Sequence, residues 1–158
     1  MSVETLTPTV NTTWRLDIDT SNTETPNWIQ VRALNAFQPA VNSTVQDASD
    51  YDSDGWGSDA VTQRKWQLVG TALRKYAEGG AYDPGQEFLR QAADNLTLVH
   101  VRWYERQGGG NGEAYEGYGL VQWAPQGGDP TGLNAVQVTI LGQGPRTPIT
   151  NPAKTSGS

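Results

Sequence analysis

The 158 residues contain no cysteine and a single histidine. Without cysteine there is no disulfide framework, no thiolate nucleophile and no Cys-ligated zinc, and one imidazole is too few for a His-based zinc centre. Basic residues are scarce as well. Eleven Lys and Arg stand against 17 Asp and Glu, a net charge of -6, and no stretch clusters enough cations to neutralise a run of phosphates, which argues against a conventional nucleic-acid grip. Long apolar runs are missing: no segment approaches the ~20 apolar residues that span a bilayer, and the opening MSVETLTPTVNTTW has neither the basic start nor the apolar run of a leader. The expectation is a soluble protein made in a cytosol, with no membrane partner. Hydrophobic residues make up only 35 %, but six Trp and six Tyr supply large buried areas from few positions. The length suits one domain.

What is present is alternation, the signature of half-buried strands. Trp14, Leu16 and Ile18 alternate with Arg15, Asp17 and Asp19, and Ile29, Val31 and Ala33 alternate with Gln30 and Arg32. These two runs suit a hairpin across the polar turn 20–27. Val99, Val101 and Trp103 face away from His100 and Arg102, and Val136, Val138 and Ile140 alternate with Gln137 and Thr139. Residues 60–75 and 114–124 are also strand-like, with Gly70, Gly117 and Gly119 marking bulges or close backbone approach. The period changes once. Asp83 caps a helix over 83–96 whose first residue is Pro84, with Gln86 completing a capping-box-like pattern, and Phe88, Leu89, Ala92, Ala93 and Leu96 form one apolar stripe. The expected architecture is mainly β: an antiparallel β-sandwich or partial barrel with one flanking α-helix. Residues 1–12 and 143–158 read as polar arms around a β domain over 13–142. Residues 35–59 read as a long connection with little periodicity, a length that points to function or docking.

Chemistry is thin. Asp50, Asp52 and Asp54, followed by Gly55, match the first half of a calcium loop, but the twelfth position is Val61 rather than a bidentate carboxylate, and Asp59 offers an oxygen only from a different geometry. The competing reading is a solvated turn. His100, alone on a polar strand face, reads as a surface residue rather than a general base. Asp17, Asp19, Glu105, Glu113 and Glu116 are available carboxylates, yet nothing in the sequence sets two at the ~5 to 9 Å separation that glycoside hydrolysis needs. No catalytic residue and no cofactor is assigned. Trp14 and Trp103 fall on apolar strand faces and read as core, while Trp28, Trp56, Trp66 and Trp123 are uncommitted. The sequons at Asn11, Asn42 and Asn95 read as coincidence in a chain without a leader.

Taken in order, several segments carry a resemblance. They are Trp14-Arg15-Leu16-Asp17-Ile18, Trp28-Ile29-Gln30-Val31-Arg32, the loop holding Asp52-Ser53-Asp54-Gly55-Trp56, Lys65-Trp66, Tyr82-Asp83-Pro84-Gly85 and Val101-Arg102. The closing pieces are Val138-Thr139-Ile140-Leu141-Gly142-Gln143-Gly144 and Pro148-Ile149-Thr150-Asn151-Pro152. Their order and spacing, from about Thr13 to Pro152, resemble the major tail proteins, or tail-tube proteins, of long, non-contractile-tailed bacteriophages that infect actinobacteria.

The resemblance implies a non-enzymatic virion protein, assembled in the host cytoplasm, whose six copies close a ring and whose rings stack into a hollow tail tube. The implied partners are further copies of itself, the tape-measure protein and viral DNA within the lumen, and the tail terminator and distal tail proteins at the ends. The 35–59 loop becomes an inter-subunit element with Tyr51 and Trp56 as aromatic anchors, and the arms would order on a neighbour. An acidic lumen would repel phosphates within a Debye length of ~8 Å. Asp17, Asp19 and Glu116 are the candidates for that lining, although Arg15, Arg32 and Arg102 share such faces. Two alternatives stay open: another virion ring protein, such as a terminator or baseplate component, and a carbohydrate-binding β-sandwich assisted by calcium at Asp50, Asp52 and Asp54.

Overall fold

The computed structural model describes residues 5–8, 13–21, 23–50, 52, 54–106 and 112–153. The alternating runs noted above form strands β1 (Trp14–Asp19), β2 (Trp28–Gln30), β4 (Asp59–Leu73), β5 (Leu98–Glu105), β6 (Ala114–Pro125) and β7 (Ala135–Gly142), the second run ending at Gln30 short of Val31 and Ala33, with helix α1 at Pro84–Asn95. Two further strands, β3 (Leu34–Asp47) and β8 (Thr147–Pro148), lie where arm or loop was expected. All pairings are antiparallel, and the order is β2-β1-β5-β6-β7-β4-β3, with β8 alongside β6.

The two ends of this order are neighbours in the chain. Only Val31, Arg32 and Ala33 separate β2 from β3, so one extended run serves both edges and bends the sheet into a partial barrel. The bend falls at Ala33, whose φ of 63° is left-handed. On either side of it, Val31 N donates to Leu16 O at 2.9 Å and Leu73 N donates to Ala33 O at 2.9 Å. Trp14 and Phe37, on strands distant in sheet order, meet with ring centroids 5.9 Å apart.

The concave face holds the core. Leu16, Ile18, Val101, Trp103, Leu68 and Ile140 are buried there together with Leu89 of α1. Trp66 and Trp103 meet at 4.9 Å between centroids, so two bulky indoles share the interior. Small residues opposite make the room: a Cβ on Gly142 would come within 2.5 Å of the Trp66 ring and one on Gly117 within 2.7 Å. The close approach read from Gly117 is therefore real, and its cause is an indole lying across the backbone.

Helix α1 starts as the sequence suggests and then departs from it. The Asp83 carboxylate accepts from Gln86 N at 3.2 Å, and Pro84 occupies the first turn. The same carboxylate also accepts from Arg32 N at 3.1 Å. The Gln86 side chain does not close a capping box; it is 1 % exposed and reaches across to the bend. Its Nε2 donates to Arg32 O at 2.7 Å and Leu73 O at 3.2 Å, and its Oε1 accepts from Arg74 Nη1 at 2.9 Å. Two carbonyls stranded by the bend thus find their donor in the helix.

The C-terminal segment was expected to be an arm, but its described part is docked. Residues 147–148 pair with β6, Ile149 N donates to Ala114 O at 3.0 Å, and buried Asn151 donates to Glu105 O at 2.7 Å and Gly112 O at 3.0 Å. The N-terminal residues 5–8 are exposed and lack regular structure.

Replacing Gln86 tests the anchor. Gln86→Ala leaves two buried carbonyls without a donor and should lower unfolding free energy by about 2–4 kcal/mol in urea titration, whereas Gln91→Ala on the exposed side of the helix should change it by less than about 0.5 kcal/mol. Equal effects at the two positions would remove Gln86 from this role.

Candidate functional site

Two surfaces stand out: a hairpin that projects from the barrel, and the convex face of the sheet. The hairpin is built by β3 and β4, paired from Leu34 opposite Ala72 to Asp47 opposite Asp59, with register shifts between Leu34 and Ala36 and between Thr44 and Val45. Its tip is closed by Ala48 N to Ser58 O at 2.7 Å, Ser58 N to Ser49 Oγ at 2.7 Å and Ser49 N to Asp47 Oδ1 at 2.9 Å. The connection expected over 35–59 is therefore half strand. Alternation does not reveal it because residues 42–47 and 59–65 are exposed on both faces, and without a buried face no period of two is imposed. Pro39 sits within β3, which pairs only with β4 among the described residues; an edge strand tolerates the missing N–H.

The outer ribbon has no apolar cover. Val45 and Val61 are exposed, and Trp56 at the tip is 81 % exposed. Two uncovered strands are marginal in water, and a bare indole is an uncommon surface residue unless it has a partner. Tyr51, the other expected anchor, lies outside the described residues. At the tip the Asp50 carboxylate accepts from Asp52 N at 3.1 Å, and Asp54 has a φ of 51°. Among the described residues no three His, Cys, Asp or Glu side chains gather as metal ligands.

The convex face carries the three expected lumen acids, and its register decides their partners. Asp17 lies opposite Arg102 and Asp19 opposite His100 across β1 and β5, with Arg102 opposite Glu116 on β6. Asp17 and Asp19 are only 5 % and 7 % exposed. Arg102 Nε donates to Asp17 Oδ2 at 2.9 Å. His100 lies between two carboxylates, with Nδ1 3.3 Å from Asp19 Oδ2 and Nε2 3.3 Å from Glu116 Oε2. Its ring stacks on Tyr118 at 4.5 Å and touches Trp28 at 4.7 Å, while Arg102 lies over Trp28 at 4.6 Å. Sequence reasoning took Asp17 and Asp19 as outward charges and His100 as an ordinary surface group. Aromatic rings on neighbouring strands instead cover the pairs, a crowding that the period of one strand cannot show.

Burial pushes the Asp19 pKa up, but hydrogen bonds from Asn27 N, the Ser21 hydroxyl and Ser21 N outweigh it and hold the carboxyl below its ordinary 3.8. Glu87 on α1 is likewise held below its ordinary 4.5: the bond from Arg90 lowers it, partial burial raises it, and Arg74 lowers it further. Among the remaining tryptophans, Trp66 is core and donates to Gly144 O at 3.1 Å, and Trp123 packs at the core's margin.

No protein-family description and no characterised protein sequence matches the chain. Solved structures do. A chain of the SPP1 tail tube superposes with a TM-score of 0.70 at 12 % identity, covering 90 % of this chain and 80 % of that one. A chain from the tail of an empty gene transfer agent particle, refined with C6 symmetry, gives 0.67 at 15 % identity, covering 90 % and 99 %. A chain of the six-fold symmetrised baseplate of the anti-feeding prophage gives 0.62 at 10 %, covering 94 % and 99 %. The fold, an antiparallel eight-stranded sheet with one helix, is therefore one that tail-tube proteins share.

The lowered acids set a pH dependence. Unfolded, these carboxyls take up protons at higher pH than when folded, so their stabilisation is complete above about pH 4.5 and is lost as pH falls through the lowered folded values. The thermal midpoint should fall on going from pH 6 to pH 3.5, and in Asp19→Asn/Glu87→Gln the fall should be shallower. An unchanged pH slope in the double variant would contradict the assignment.

Proposed function

We propose that this chain is a structural subunit of a phage-type tail tube, in which six copies close a ring and rings stack around a passage for DNA. The observation that carries the reading is the projecting ribbon: a two-stranded hairpin, exposed on both faces and tipped by a bare Trp56, that lacks a packing partner among the described residues. A second copy supplies one. The fold shared with the SPP1 tail tube supports the tube, and the C6 symmetry of the gene transfer agent tail supports six copies per ring.

The free edge of β3 adds to this argument. Its outward N–H and C=O groups are a template for strand addition, and in a ring each such edge meets a neighbour. A closed ring then removes the aggregation hazard of an open sheet while repeating one contact six times. The tube acts by confinement and positioning rather than by catalysis, and its place is the virion.

Six copies carry six times the -6 of one chain, so the assembly is acidic and DNA phosphates are not retained. Of the three acids expected at the lumen, Asp17 and Asp19 are committed to Arg102 and His100, and Glu116 is the one with substantial exposure, at 35 % of its side chain. If β6 faces the lumen, Glu116 is the lining carboxylate. A second reading, a baseplate-type ring of the same fold, is favoured by the match to the anti-feeding prophage baseplate; it differs in stopping at one ring.

Electron microscopy of the purified chain at high concentration tests the proposal. Hollow rings or tubes should form, and replacing residues 46–60 by a two-residue turn should abolish them while moving the monomer's thermal midpoint by no more than about 4 °C. Stacked tubes favour the tail tube and single rings the baseplate reading. Tubes formed equally well without the hairpin tip would contradict the role given to it.

A further inference from the structure

The docking partner for the hairpin tip is identifiable within the chain's own surface. At the hairpin's root, where β4 leaves the barrel and the C-terminal segment crosses it, lies a groove of about 960 Å³. Val41, Arg64, Lys65, Tyr115, Arg146 and Pro148 are among its walls, and no Asp or Glu lines it. Three cations therefore edge a floor of aliphatic, aromatic and proline surface. Arg146 is fixed there by lying 3.8 Å over the Tyr115 ring, and Val41 is exposed into the open side.

The hairpin tip has the opposite character. Asp47, Asp50, Asp52, Asp54 and Asp59 fall within 13 residues, with no Lys or Arg from 35 to 63, and Trp56 stands among them. We propose that this groove receives the acidic, Trp56-bearing hairpin tip of a second copy of the chain, the indole lying on the apolar floor and the aspartates meeting Arg64, Lys65 and Arg146. This inference rests on the assembly reading above and names the contact that makes the assembly.

The tip cannot fill its own groove. Val41 and Asp47 are six residues apart along β3, roughly 20 Å at 3.3 Å per residue, and Trp56 lies in the turn beyond Asp47, so the tip and the groove are set well apart along the same ribbon. The contact is consequently head-to-tail: each copy offers one tip and one groove, so a series of copies either closes into a ring or continues as a stack. Charge complementarity fixes which end meets which and steers the encounter, while Trp56 and the floor supply the burial.

Charge reversal distinguishes the outcomes. One variant reverses the groove (Arg64→Glu, Lys65→Glu, Arg146→Glu) and another the tip (Asp50→Lys, Asp52→Lys, Asp54→Lys), each checked for native melting. Neither should assemble alone, and an equimolar mixture should assemble, because each reversed surface then finds its complement on the other chain. Because Arg146 packs on Tyr115, Arg64→Glu/Lys65→Glu is a second groove variant that spares it. The absence of cysteine allows a readout that does not require tubes: a Gly57→Cys chain mixed with a Gln143→Cys chain under mild oxidant should give mixed disulfide dimers, reduced at least about tenfold when the Gln143→Cys chain also carries Arg64→Glu/Lys65→Glu. Assembly by the wild type and by the groove-reversed chain alike, or cross-linking indifferent to groove charge, overturns this docking while leaving the tube reading standing. A wild type that neither assembles nor cross-links removes both.

Discussion

The structure depends on one buried side chain amide. A single extended run, residues 28–47, supplies strands to both edges of the sheet, and it can do so only by bending at Ala33. A bend strands backbone carbonyls, and the carbonyls of Arg32 and Leu73 would be orphaned inside the protein without a donor. Gln86 donates to both, Arg74 satisfies its remaining oxygen, and Asp83 accepts from the Arg32 N–H while it caps the helix. Helix α1 is therefore the clasp of the barrel as well as the cover of its core. Arg74 extends the network to Glu87, which Arg90 also engages, so the clasp is charge-assisted along its outer rim and uncharged at its centre, where burial is greatest.

Everything outward from the clasp follows from where it releases the chain. β3 and β4 leave the bend paired to each other and outrun the barrel, so their distal halves have only each other. On the other side of the sheet the carboxylates have partners within the face: Arg102 donates to Asp17, and His100 lies between Asp19 and Glu116 beside the rings of Trp28 and Tyr118. The convex face is thus a stiff surface of satisfied polar groups, and the reactive features of the molecule are a sheet edge, a basic groove and an acidic aromatic tip. Those are features that suit the proposed role of a subunit. In the proposed docking the groove and the tip, set apart along one ribbon, join identical copies without a second protein.

The parts legible in the sequence were those with one buried face. Leu16 and Ile18, Val99 and Val101, and Val136 and Val138 alternate because one side meets the core and the other does not, and α1 was announced by Asp83, Pro84 and its stripe. β3 was hidden because neither face of its outer half is buried, so hydrogen bonding alone makes it a strand. Residues 143–158 read as an arm because Gln143, Pro145 and Pro148 are polar or non-donating, yet residues 147–151 dock through backbone pairing and through the Asn151 amide, which composition does not report. The pairing of Asp17 and Asp19 was invisible for a different reason: it is made with Arg102 and His100 of another strand, and only register brings those side chains alongside. Trp56 was placed on a docking element by the length of its loop; the groove that could receive it is a product of tertiary structure, joining residues 41, 64–65, 115 and 146 that no local pattern connects.

The claim that the ribbon exists for a neighbouring copy is tested most directly by backbone hydrogen exchange across 42–65, compared between monomer and assembled protein. Ribbon amides should exchange rapidly in the monomer, since two uncovered strands open at little cost, and should become strongly protected on assembly, while amides of β5 and β6 change little. Equal exchange in the two states, or protection that appears only elsewhere, would contradict the account.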